Sequence, residues 1–412
     1  MRNYLFFPFL LVLSACSGGE TPDHRLTAPA GQLTFALLPE TDDVPLQYQI
    51  TRKLANRIDT IVFASRLGLE LSTSRFTSDL QLRSTSPVKL VQDEYTLFSG
   101  KQTSVKESGN ERIFTLINPA DEQLLVEVRA YDNGIAFRYR LITPDSIQRR
   151  LTAELTTFNL PAGDFWAQPY DTIGQYYPAY EAYYANGIPT GTPAPSNKNG
   201  WALPVLIRTD QTWILLHESG VNATNAGTHL DADPSTGGYT VAYPEQTEMF
   251  NKGAVYPTFS GAWASPWRVL TIGDLATITE STLVTTLAAD NQLDNTDWIH
   301  PGRAAWSWAS APDSPQDYDL LTPFIDLCAD FGWEYFLEDA NWDRMQNGDL
   351  AQLVSYAEAK GVGLWVWYNS GGPHNVVTEA PRGRMMPDQR RAEMQMLKRI
   401  GVKGIKVDFF HS

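Results

Sequence analysis

At 412 residues the chain is longer than one ordinary domain, and 43% hydrophobic, 12% aromatic and 19% charged residues mark a large buried core, which excludes wholesale disorder. Thirty-two Lys and Arg against 47 Asp and Glu leave a net charge of -15, which repels nucleic acid and anionic lipid and argues against a nucleic-acid partner. Two cysteines cannot frame a disulfide-built fold, and six histidines without C-x-x-C or H-E-x-x-H spacing give no zinc-type site.

Near its start the chain has one basic residue, Arg2, and an apolar run from Tyr4 to Leu13, followed by small residues. The run is about half of the roughly 20 residues that a membrane-spanning helix needs, so it reads as a secretory signal. Leu13-Ser14-Ala15-Cys16 resembles the lipobox of bacterial lipoproteins, in which the cysteine carries the lipid. Residues 1–15 are then the signal peptide and 16–30 a lipidated tether, with Cys16 as the lipidation site. Ser17 after the cysteine is similar to the outer-membrane sorting signal of Gram-negative bacteria, which implies a lipoprotein on the periplasmic or cell-surface side. The plainer reading is an ordinary cleaved signal with a chance cysteine. With Cys16 lipidated, Cys328 is the remaining thiol and no intrachain disulfide forms.

From Gly31 to Ile299 short alternating runs are broken by Gly, Pro, Asn and Asp, the pattern of an all-β region without a convincing helix. Gln32 to Leu37, Leu124 to Ala130 and Ile135 to Leu141 are expected strands, and Asp132-Asn133-Gly134 an expected hairpin turn using positive φ. A large β-sandwich over residues 31–299 accommodates them. Between Tyr176 and Asn199, Tyr, Gly, Pro, Ala and Asn predict a long ordered loop over a surface or cleft.

After His300-Pro301-Gly302, apolar strands alternate with capped helices. Strands are expected at Ala304 to Ala309, Glu334 to Glu338, Val362 to Tyr368 and Val402 to Phe409. The helices between them open at Thr322-Pro323, at Asp349 and at Pro387, and close at Gly332, Gly361 and Gly401. Successive βα units predict a parallel sheet or barrel. A closed (β/α)8 barrel takes about 250 residues, whereas 113 follow Ile299. Residues 300–412 are therefore expected to be the N-terminal half of a (β/α)8 TIM barrel within a longer protein, because half a barrel exposes strand edges.

Barrel active sites lie at the C-terminal ends of the strands. Those ends offer Trp306, Ser307 and Trp308; Glu338, Asp339, Asn341 and Trp342; Trp365, Trp367, Tyr368 and Asn369; and Lys406 with Asp408. Carboxylates, amides and tryptophans together suit a sugar, whose hydroxyls need polar partners and whose C–H faces stack on rings. The expected substrate-binding set is Lys406, Trp308, Glu338, Asp339, Asn341, Trp367 and Asn369. Seven of the 12 tryptophans lie from Trp298 onward, though barrel core is an equally good account of Trp333 and Trp365. Alternation puts Lys406 and Asp408 on one face of a strand, and an ammonium beside a carboxylate favours the anion that a nucleophile needs. A structural ion pair is the bland alternative.

Three stretches, Trp298 to Trp308, Gly332 to Trp342 and Gly401 to Phe409, resemble the barrel motifs of glycoside hydrolase family 97. Ser65 to Leu69, Asp132 to Tyr139 and Ser265 to Val269 resemble that family's N-terminal domain, so the likeness runs from about residue 31 to 412. It implies exo-acting hydrolysis of α-linked galactosides or glucosides, with Ca2+, by secreted or lipid-anchored bacterial proteins. Retaining members, the α-galactosidases, carry an aspartate nucleophile at the end of the fourth barrel strand, and Asp408 matches it. Inverting α-glucosidases lack that aspartate and use later glutamates to activate water. The resemblance thus implies Asp408 as the catalytic nucleophile and an acid/base glutamate on a later strand, outside this chain. It also implies calcium held by one sandwich glutamate and several from the later barrel. Glu218 matches the sandwich ligand, or is only a solvated strand-end residue, and Glu181 is a further possible cleft residue. A surface lipoprotein that binds sugar on a degenerate barrel is the competing reading from another class. No Rossmann or phosphate-loop glycine pattern points to an organic cofactor.

Overall fold

Alternation builds the β layers of the first part of the chain. In Leu33–Leu38 the residues Leu33, Phe35 and Leu37 are buried and those between them half-exposed, so one face carries the apolar set. The computed structural model describes residues 23–409 except 42–43, 144, 171–181, 196, 232, 235–237, 250–253 and 372–376. A four-stranded antiparallel sheet takes Arg25–Thr27, Leu33–Leu38, Gln47–Lys53 and Ile58–Arg66 in that order. It packs on a fourteen-stranded sheet that includes Gln123–Tyr131, Gly134–Leu141, Trp213–Ser219 and Trp267–Gly273. Phe35 and Tyr48 from the small sheet meet Phe137 of the large one at ring-centroid distances of 5.9 and 4.9 Å. This is the expected sandwich, and its core is the largest hydrophobic cluster among the described residues.

Several expectations change in detail. Arg25–Thr27 is already in the sheet, with Arg25 opposite Ala36, so a tether reaching residue 30 is too long. Two helices, Leu275–Glu280 and Leu283–Thr286, stand where none is expected. Six and four residues are too few to show a helical period in sequence. Asp274 caps the first by accepting the Thr277 N–H at 2.8 Å, and Leu283 and Leu287 seal the sheet over Tyr131, Ala136, Trp267 and Val269. The hairpin after Tyr131 forms with Tyr131 opposite Gly134, but without positive φ. Gly134 is needed there for close approach, since a Cβ would lie 2.4 Å from the Leu270 carbonyl oxygen. Of the loop expected from Tyr176 to Asn199, the part up to residue 181 lies outside the described residues. Ala185–Pro189 is a strand paired with Asp164–Tyr170 rather than loop.

The second unit is a parallel sheet, β1 (Ala304–Trp306), β2 (Tyr335–Glu338), β3 (Gly363–Asn369) and β4 (Gly404–Asp408), in sequence order. Its connections are helices α1 (Tyr318–Phe331), α2 (Leu350–Ala359) and α3 (Pro387–Ile400). This is the expected first half of a barrel. Helix stops are as expected: Gly332 and Gly401 take left-handed φ of 63° and 96°, where glycine carries no Cβ penalty. Asp349 and Gln352 form a reciprocal capping box on α2. Helix α1 begins four residues earlier than Thr322-Pro323 suggests, capped by Asp317. Pro323 therefore sits inside it, and the Thr322 hydroxyl reaches the Asp319 carbonyl, at 3.5 Å, that the missing N–H leaves open. Strand β1 ends at Trp306 because Ser307–Ala309 turns into a 3-10 segment.

The helices cover one face of this sheet. Leu321, Ile325 and Cys328 of α1, Leu353 and Val354 of α2 and Leu397 of α3 pack on Phe336, Leu364, Val366 and Tyr368. Alternation leaves Trp306, Leu337, Trp365, Trp367, Lys406 and Asp408 for the opposite face, the interior of the barrel curve.

Candidate active site

At the C-terminal ends of these strands the inward residues meet in one network. Lys406 Nζ lies 3.0 Å from Asp339 Oδ2 and 3.8 Å from Asp408 Oδ2. Alternation explains the second contact, because Lys406 and Asp408 are two residues apart on β4 and share a face; the register sets Trp367 opposite Lys406 and Asn369 opposite Asp408, which brings the β3 and β4 ends level. Asp339, one residue past β2, is 3% exposed. Its Oδ1 accepts the Ala340 N–H at 2.7 Å, and its Oδ2 accepts the Trp306 indole N–H at 2.6 Å as well as the ammonium. Such a carboxylate is held as an acceptor from three sides.

Asp408 is placed differently. Its side chain is 41% exposed. Oδ2 accepts the Trp367 indole N–H at 3.1 Å, and Oδ1 accepts the Phe409 N–H at 2.9 Å. Phe409 has a left-handed φ of 53°, a costly conformation for a bulky residue. Ser370 secures the same bend by donating its hydroxyl and its N–H to the Asp408 carbonyl at 2.9 and 2.8 Å. Trp306 and Trp308 stack at 5.5 Å with rings 16° apart, and Lys406 Nζ is 4.5 Å from the centroid of the Trp306 ring. Both tryptophans present ring surface to solvent, at 41% and 37%. An exposed, oriented carboxylate beside an ammonium and an aromatic ledge can attack an electrophilic carbon of a bound sugar.

Three residues expected to touch substrate, Glu338, Trp367 and Asn369, are buried, and a fourth, Asn341, is half-buried and tied to the loop at Ala380. Glu338 shares the parity of Phe336, which packs on the helices, and is 0% exposed with neither carboxylate oxygen hydrogen-bonded. Burial, and then the Asp339 charge, push its carboxyl well above the usual carboxylate range. Trp367 is 1% exposed and so has no free face for a sugar. Asn369 is fully buried and holds the following loop through the Glu379 carbonyl and the Gly371 N–H, at 3.2 and 3.0 Å. Asn341, in the left-handed region at φ 72°, accepts the Ala380 N–H at 3.0 Å and donates its own N–H to the Ala380 carbonyl. Lys406, Asp339, Asp408 and Trp308 do come together. Trp306 joins them without having been singled out among the tryptophans; its signal is the β1–β2 register, which sets Trp306 beside Leu337 and two residues short of Asp339.

Glu218 lies in the sandwich, largely but not fully buried. Its Oε1 accepts the Thr228 N–H, and its Oε2 accepts the Thr228 hydroxyl and the Arg268 guanidinium, all at 2.8 Å. The Arg268 guanidinium already sits on this carboxylate, and among the described residues no three His, Cys, Asp or Glu side chains gather around a common point. These residues do not by themselves fit calcium, which takes six to eight oxygens. Cys16 and Glu181 lie outside the described residues.

The sequence of residues 26–289 matches the family model for the glycosyl-hydrolase 97 N-terminal domain. The chain belongs to glycoside hydrolase family 97. Similar proteins extend the likeness into the barrel. A probable retaining alpha-galactosidase of Streptomyces bingchenggensis is 28% identical over 371 residues, covering 86% of this chain and 52% of the relative. A retaining alpha-galactosidase of Bacteroides thetaiotaomicron is 25% identical, covering 92% and 62%. The crystal structure of a beta-arabinopyranosidase superposes with a TM-score of 0.87 and 32% identity, covering 95% of this chain and 62% of that one. The chain thus spans between half and two thirds of the length of these relatives.

Proposed function

We propose that this site is the nucleophile half of a retaining exo-glycosidase that removes terminal α-linked galactose, with Asp408 as the attacking group. The observation that carries the reading is Asp408 itself: a half-exposed carboxylate at the end of β4, held on both oxygens and flanked by Lys406. In the reaction, an Asp408 oxygen bonds to the anomeric carbon as the glycosidic bond breaks, and the leaving oxygen takes a proton from a carboxylic acid. Water then displaces Asp408, so the configuration is retained. Among the described residues none serves as that acid, because Asp339 accepts from three donors and Glu338 faces the helices. The acid belongs about 5 Å from Asp408, on chain beyond these strands. Two relatives named as retaining alpha-galactosidases support the choice of sugar. Calcium remains a proposal that requires carboxylates from outside the described residues, and no step here runs through it.

The beta-arabinopyranosidase likeness supports a second sugar. A β-L-arabinopyranoside has the ring configuration of an α-galactoside and lacks the hydroxymethyl group on C5. Turnover of aryl α-galactoside and aryl β-L-arabinopyranoside by the full-length polypeptide separates the two readings. Release of the α-anomer of galactose, seen by NMR, supports retention; first release of the β-anomer overturns it in favour of inversion. Active Asp408→Asn protein overturns the nucleophile. Sugar binding without turnover in the full-length protein points to the degenerate-barrel reading. The lipid anchor is a proposal of the same kind, resting on Leu13-Ser14-Ala15-Cys16, and loss of radiolabelled palmitate in Cys16→Ala tests it.

A further inference from the structure

We infer that Trp367 is a positioning residue for the attacking carboxylate, acting through its indole N–H and not through contact with the sugar. The inference rests on the proposed role of Asp408. Trp367 is 1% exposed, and its ring is enclosed, with Phe409 edge-on at 5.8 Å. Its own carbonyl accepts the Trp342 indole N–H at 2.8 Å, which ties this point of β3 to the turn after β2. The ring therefore has one polar task, and its N–H reaches across the strand boundary to Asp408 Oδ2 at 3.1 Å.

The two oxygens of Asp408 are held unequally. Oδ2 has the indole N–H and stands 3.8 Å from the Lys406 ammonium, whereas Oδ1 has, among the described residues, the Phe409 N–H alone. The geometry makes Oδ1 the attacking oxygen and Oδ2 the spectator. A lone pair of Oδ1 forms the bond to the anomeric carbon, the electron pair of the glycosidic bond leaves with the departing oxygen, and that oxygen is protonated by the acid. Oδ2 becomes the carbonyl oxygen of the glycosyl ester and keeps the Trp367 hydrogen bond throughout. Without that donor the Asp408 side chain can turn about its terminal torsion, which is broad and soft for a carboxylate, and the attacking lone pair is no longer aimed.

The test uses the full-length polypeptide with an aryl α-galactoside, and counts competent sites by covalent titration with a galactose-configured inactivator. Trp367→Phe keeps a ring and removes the N–H. The expected result is a fall of about ten- to a hundredfold in kcat per titrated site, with KM within about twofold, the size of one hydrogen bond to a charged group. A purely packing role would lower Tm and the number of sites but leave kcat per site unchanged, and that outcome overturns the inference. Should Trp367→Phe fail to fold, 3-benzothienylalanine at position 367 replaces the N–H by sulfur in an equally large ring system, and the same two outcomes apply. Asp408→Asn is run beside it. If Asp408→Asn is active, the nucleophile reading and this inference fall together; if it is inactive while Trp367→Phe matches wild type per site, only the positioning role falls.

Discussion

Lys406 stands nearer to Asp339 than to Asp408, with Nζ 3.0 Å from the first carboxylate and 3.8 Å from the second. The side chain of Asp339 is also the more buried, at 4% against 41%, so the ammonium is anchored on Asp339 and lends its charge to Asp408. Asp339→Asn removes that anchor and leaves Lys406 and the Trp306 N–H facing a weaker acceptor. The expected loss of stability is about 2 to 3 kcal/mol in urea unfolding, at the low end for a broken ion pair because Lys406 keeps some solvent. Turnover by the full-length polypeptide should fall by about a hundredfold, since a charged group that orders the site has gone. Wild-type stability in the variant would remove Asp339 as the anchor.

Glu338 predicts an effect of opposite sign. Its buried carboxyl is raised in the folded state, so the protonated form is the one the fold accommodates. The stability it permits is fully present below the unfolded carboxylate value and is lost as pH rises through the folded one. Glu338→Gln keeps the shape and cannot ionise. In urea unfolding it should match wild type near pH 4 and exceed it at pH 8, with the difference growing in between. A difference that is constant with pH would mean that Glu338 is not the group responsible.

Much of the barrel was legible because its signals are local. Gly332, Asp349, Pro387 and Gly401 mark helix ends whatever surrounds them, and alternation alone puts Lys406 beside Asp408. The site was legible only in part, because whether a strand-end side chain opens to solvent depends on what covers it. Trp367 and Asn369 have the parity of site residues, yet the turn after β2 and the segment from 377 to 381 bury them. Glu338 and Asp339 are consecutive, so only one can face inward, and the sequence does not say which. In the sandwich, helices of six and four residues fall below the length at which periodicity speaks.

His229 gives the acid limb of the stability profile. It is 1% exposed, stacked on Tyr170 at 3.7 Å with rings 5° apart, and burial pushes its imidazole down to about 4. A depressed value means stability that is present above the unfolded histidine value and lost as pH falls through the folded one. Between pH 6.5 and 4 this group should cost about 3 kcal/mol, from the shift and 1.36 kcal/mol per unit. His229→Phe keeps the stack and cannot be protonated, so its thermal unfolding should lose less stability over that range than wild type. An acid limb identical to wild type would place the loss in the carboxylates instead.

Arg268 tests the sandwich ion network, and the prediction is an order among variants. Its guanidinium is 1% exposed and bridges Glu154, fully buried, and Glu218, 13% exposed, the latter at 2.8 Å. Arg268→Met strands two carboxylates in the core, and about 3 to 5 kcal/mol of stability should be lost. Glu154→Gln should cost less, because Arg268 then still has Glu218 and the Thr228 hydroxyl. Adding Glu154→Gln to Arg268→Met should recover part of the loss, since it removes the more deeply buried of the stranded charges. The double-mutant cycle reads this directly: residues sharing one network are not additive, and the coupling should be well above the about 0.5 kcal/mol scatter of independent sites. Additive losses would mean that Glu154 and Arg268 are stabilised separately, and the network would not be the unit that holds Glu218 in place.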